Sequence, residues 1–152
     1  VHELRSHLRA GYVGEMSVNR NYDLFWADFW HRLPEVLDVS SELSLATTEV
    51  GLPGVMHPEG SVIDLAGLND TVIAMNGFRA DRLLSDRRPD IIYMPHPHYV
   101  NLNRALTQAE GFADYALFAG EAIRAEMDVA IRKDGPFAEA LFALMADRSG
   151  GQ

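Results

Sequence analysis

The sequence predicts an α/β fold, a mainly parallel sheet of about five strands with helices packed on it in a Rossmann-like three-layer arrangement. Three observations carry that expectation. Short apolar runs bounded by glycine and proline recur along the chain. Between them lie stretches with the three- and four-residue spacing of amphipathic helices. The 152 residues, 47% of them hydrophobic, suffice for one domain with its own core.

Residues 1–20 mix charge, glycine and small apolar residues without a clean period and read as a lead-in, with one or two helical turns over His2–Arg9. From Asn21, an N-cap candidate, Leu24, Phe25, Phe29, Leu33, Val36 and Leu37 follow helical spacing, and Pro34 is expected to kink or end the helix. Trp26 and Trp30 lie one turn apart. They suit either a carbohydrate-stacking platform or a wider buried face, and burial is favoured because large aromatics supply so much of a small core's apolar area. Leu43–Val50 alternates like a strand, and Gly51-Leu52-Pro53-Gly54 reads as the loop that stops it. Ser61–Ala66 is a second strand, ending at Gly67, with a short helix over Asp70–Met75 behind it. Arg79–Arg88 reads as helical and is closed by Pro89. Asp90–Met94, an apolar run bounded by prolines, is too short for a core helix and reads as a buried strand. A helix over Tyr99–Gln108, strands over Tyr115–Phe118 and Met127–Arg132, and a helix over Phe137–Ala146 complete the pattern. The last helix turns Phe137, Leu141, Leu144 and Met145 inward.

Composition excludes several classes of function. A formal charge of −9 leaves no basic stripe for a nucleic-acid backbone, so nucleic acid is not an expected partner. With no cysteine, disulfide frameworks, thiolate zinc sites and cysteine nucleophiles are all absent. No window has the roughly 20 apolar residues of a membrane helix, and no basic-then-apolar signal peptide opens the chain. The sequence lacks the GxxxxGK[ST], GxSxG and GxGxxG patterns, which lowers kinase, hydrolase and dinucleotide readings. The start at Val1 and the ending Ser149-Gly150-Gly151-Gln152 fit a processed protein or a piece of a longer one, with 1–152 as a single domain.

In open α/β sheets ligands bind beyond the carboxyl ends of strands, so polar residues in those loops are the candidates. Three loops qualify. The first holds Thr47, Thr48 and Glu49; the second holds Asp64, Asn69 and Asp70; the third holds Pro95-His96-Pro97-His98. Glu49, Asp64 and Asp70 suit a hard cation, sugar hydroxyls or acid–base work. Each also has a structural alternative: Asn69 or Asp70 as a helix cap, Glu49 as an acceptor of backbone N–H groups, Asp64 as a turn acceptor. His96 and His98, two apart, share a face in extended chain and suit one metal, with His57 as a possible third group, although no established metal spacing such as HExxH is present.

Ala46-Thr-Thr-Glu-Val-Gly-Leu-Pro53, followed by Val62-Ile-Asp-Leu-Ala-Gly-Leu-Asn-Asp70 with Ile73-Ala74, and then Pro89-Asp90-Ile91-Ile92, resembles a pattern in bacterial polytopic membrane glycosyltransferases of the GT-C type. These include relatives of the cell-wall arabinofuranosyltransferases, in which a soluble extracytoplasmic C-terminal domain follows many membrane helices. The likeness covers residues 43–96, about a third of the chain, and Val50 replaces an expected alanine. The resemblance implies an accessory domain on the extracytoplasmic face of a bacterial membrane, attached to an upstream transmembrane region. In that setting the domain positions a glycan or lipid-linked acceptor, with Glu49, Asp64, Asn69, Asp70 and His96 as substrate-binding candidates. No catalytic residue and no cofactor is expected in this domain. The polyprenyl-phosphate sugar donor and the transfer chemistry belong to the parent's membrane region, which this chain does not contain. Two other readings stand beside it: a free-standing metal-dependent enzyme built on Glu49, Asp64 and His96, and a purely structural or interaction domain.

Overall fold

The computed structural model of the protein describes residues 20–37, 42–56, 58 and 60–150, so the lead-in and His57 lie outside the described residues. Helix α1 spans Arg20–Val36, beginning one residue before Asn21. Pro34 stays inside it, and the missing N–H disturbs only the final turn. Phe25, Trp26, Phe29, Trp30 and Leu33 form the buried face, whereas Leu24 is exposed. Both tryptophans are therefore core residues, stacked on each other with ring centroids 5.9 Å apart.

Strands β1 (Ser44–Thr47), β2 (Ser61–Asp64), β3 (Ile91–Tyr93), β4 (Tyr115–Phe118) and β5 (Val129–Arg132) make one sheet in the order β2-β1-β3-β5-β4. Five strands with helices is as expected. The sheet is mixed rather than mainly parallel: β1 pairs in parallel with β2 and β3, while β5 runs antiparallel to both β3 and β4. Connection length explains the difference. A parallel crossover takes about a dozen residues or more, and the short link 119–128 from β4 to β5 can only reverse the chain.

The remaining α-helices are α2 (Gly51–Met56), α3 (Thr71–Asn76), α4 (Ala80–Arg82), α5 (Val100–Gln108), α6 (Gly120–Ile123) and α7 (Ala138–Gly150), with a 3-10 turn over Glu110–Asp114. The Gly51–Gly54 loop of the sequence reading is thus helical. Helix α4 widens into a π turn, Leu83–Arg87, which Arg88 ends at φ 42° by donating its N–H to the Leu83 carbonyl at 2.8 Å. Alternation along each strand sends side chains to opposite faces and builds two cores. On one face Leu45, Ile91, Tyr93, Val129 and Ile131 pack with the α1 aromatics and with Leu141, Leu144 and Met145 of α7. On the other, Ala46, Ile63, Ile92 and Ala130 pack with Leu83, Leu84 and Leu106. Helices therefore cover both faces of the sheet.

Candidate functional site

The strand directions bring five loops to one edge. The carboxyl ends of β1, β2, β3 and β4 and the amino end of β5 all face the same way. Between β1 and β3 the chain departs in opposite directions, to β2 on one side and toward β4 on the other, which is where open α/β sheets form a crevice.

At the end of β1, Thr47 is fully buried. Its Oγ1 accepts the Glu49 N–H at 3.0 Å, and its carbonyl accepts the Leu65 N–H at 2.9 Å. The turn so formed holds Glu49 at the surface. At the end of β2, Asp64 is 3% exposed and organises the whole GLND loop. Its Oδ1 accepts from Ala66 N at 2.9 Å, and its Oδ2 accepts from Asn69 N at 2.7 Å and from Asn69 Nδ2 at 3.3 Å. Gly67 takes φ +78°, and a Cβ there would lie 2.9 Å from Ile73 Cγ2, so the glycine is required for the turn. Asp70 is the N-cap of α3, accepting the Ile73 N–H at 3.1 Å, and pairs with the Arg87 guanidinium. Burial pushes its carboxyl up, but hydrogen bonds from Arg87 and Ile73 outweigh this and hold it below the usual carboxylate value.

At the end of β3, the His96 and His98 rings stack with centroids 4.3 Å apart and their Nδ1 atoms in contact. The His98 N–H also donates to His96 Nδ1 at 3.2 Å. Among the described residues no group of three or more His, Asp or Glu side chains is placed to hold a metal ion, so Glu49, Asp64 and His96 do not form such a set.

Two further residues shape this edge without a warning in the sequence. Tyr93 packs against Phe25 and Trp26 at centroid distances of 5.6 and 5.1 Å, and its hydroxyl oxygen accepts the Met127 N–H at 3.2 Å. Burial raises its phenol, with the charges of Glu126 and Glu49 adding to the rise, to about 12. Glu49 and Glu126 thus lie within electrostatic reach of one buried hydroxyl. Asp128 accepts the Gly120 N–H at 2.8 Å through Oδ1, and its carbonyl accepts from Met94 N at 2.9 Å. An Asp one residue before a strand carries no distinctive motif, and Tyr93 ends β3 inside the apolar run Asp90–Met94, where nothing marks it from its neighbours.

Leu68 (87% exposed) at the tip of the GLND loop, and Val72 and Met75 on α3, present apolar side chains to solvent beside these loops. The site therefore combines rigid turns with an outward-facing mixture of carboxylate and apolar groups, an arrangement suited to recognition. No helix among the described residues is long and apolar enough to cross a membrane. Comparison with known proteins finds no matching family, no matching curated protein and no matching solved structure.

Proposed function

We propose that this is a recognition domain, an accessory extracytoplasmic part of a membrane glycosyltransferase that positions a glycan or lipid-linked acceptor for a parent using a polyprenyl-phosphate sugar donor. The observation that supports it most is the division of labour between the two motif loops. Asp64, Asn69 and Asp70 spend their polar atoms on turn and cap hydrogen bonds, which leaves them poor acid–base groups and good scaffolding. Glu49 and Leu68 stand outward on the adjacent loops so fixed. Carboxylates and small apolar patches on rigid loops are what sugar hydroxyls and C–H faces bind.

Titration with cell-envelope oligosaccharides, followed by amide chemical shifts, tests the reading. Shifts are expected at residues 48–50 and 66–69, lost in Glu49→Gln with the melting temperature unchanged; Asp64→Ala is expected to lower the melting temperature instead. A domain that shifts with no oligosaccharide, or a coding sequence with no apolar membrane segments upstream of Val1, overturns it.

A further inference from the structure

Beyond the strand-end loops, α3 and α4 enclose a groove of about 710 Å³, within the size range of small-molecule sites. Its lining includes the apolar residues Val72, Ile73 and Phe78 and the cationic residues Arg79, Arg82 and Arg87. The three guanidiniums are not equivalent. Arg79 is held by Asp81 through two bonds of 3.0 and 2.6 Å, and Arg87 is held by Asp70. Arg82 is exposed and takes part in no ion pair or side-chain hydrogen bond among the described residues. The acid in the lining, Asp86, accepts the Ser85 hydroxyl at 2.6 Å. Two pinned arginines thus accompany one whose side-chain donors have no partner among the described residues, in a chain whose overall charge is −9.

A planar guanidinium fork matches an oxyanion bidentately, and apolar lining in the same groove selects against a bare ion. We infer that this groove binds an amphiphilic oxyanion, a phosphate or carboxylate on an apolar stem, with Arg82 taking the anion and Val72, Ile73 and Phe78 the stem. The groove adjoins the glycan site and shares Val72 with its apolar surface, but it uses none of residues 48–50 or 66–69, so shifts there distinguish the two readings.

Octyl phosphate below its micelle concentration is the probe, titrated into the protein alongside inorganic phosphate, octanoate and octyl glucoside. Octyl phosphate or octanoate is expected to bind saturably, to shift the amides of Val72, Ile73 and Asn76, and to outcompete both inorganic phosphate and the neutral glucoside. The preference between the two alkyl anions assigns the head group. Arg82→Gln, an exposed and conservative change, is expected to weaken binding about tenfold, the loss of one charge-assisted hydrogen-bonded contact. Inorganic phosphate or octyl glucoside binding as tightly as the alkyl anions, no saturable binding, or an Arg82→Gln protein that binds as the parent does would each overturn the inference.

Discussion

At the residue scale a buried polar anchor lies at the end of the sheet opposite the candidate site. Asp90, 5% exposed, accepts the Ser44 N–H and hydroxyl through Oδ2 at 2.9 and 2.7 Å, and Arg132 Nη2 through Oδ1 at 2.8 Å. It therefore ties the start of β1 to the end of β5 across β3. Arg132 also donates to the Arg88 carbonyl at 2.5 Å. Removing the carboxylate leaves a largely buried guanidinium with only the exposed Asp134 carboxylate, 3.7 Å away, as counter-charge. Asp90→Ala is expected to cost about 3–5 kcal/mol in urea unfolding. Asp134→Ala, which removes only exposed ion pairs to Arg88 and Arg132, is expected to cost about 1 kcal/mol or less. The Pro89-Asp90-Ile91-Ile92 segment was visible in the sequence as a strand start, but the role of Asp90 was not, because its partners lie 46 and 42 residues away. Asp64 and Asp70 were more legible: their backbone N–H partners are within five residues, so turn and cap chemistry could be read locally, whereas the Arg87 partner of Asp70, 17 residues on, could not.

At the element scale, apolar runs located all five strands and the longer helices, since burial on a pleated surface or a helix face leaves a local period. What the runs did not contain was direction. The antiparallel entry of β5 followed from the length of the β4–β5 connection, and helices α2 and α6 were too short to show a period. Packing of that connection gives its own test. A Cβ on Gly120 would lie 2.7 Å from the Met127 carbonyl carbon and oxygen, a backbone contact that no rotamer change relieves. Gly120→Ala is expected to destabilise the fold by about 1–3 kcal/mol. Gly54→Ala, where a Cβ meets nothing within 4 Å, is expected to be neutral or slightly stabilising in the same thermal melt because alanine favours helix.

At the scale of the whole molecule, the two cores each hold a tyrosine whose phenol burial pushes above its ordinary value, Tyr93 to about 12 and Tyr115 higher still. A raised phenol keeps its proton in the folded state, so this stability is fully present below the unfolded value near 10 and is lost as pH rises through the folded value. Circular dichroism is expected to show alkaline unfolding beginning between about pH 10 and 12, and Tyr93→Phe to move that transition to higher pH. A Tyr93→Phe protein with an unchanged alkaline midpoint would remove Tyr93 from the cause. The pairing of the outermost helices bears on how the chain is made. Arg32 and Asp28 of α1 meet Asp147 and Arg148 of α7, with Arg148 also over the Phe25 ring, and the Arg32–Asp147 pair spans 115 residues. During synthesis at about 5–20 residues per second, Phe25, Trp26, Phe29 and Trp30 emerge roughly 6–23 s before the helix that completes their cover. For that interval the nascent chain carries an incompletely covered aromatic face, open to chaperones or to a neighbouring nascent chain.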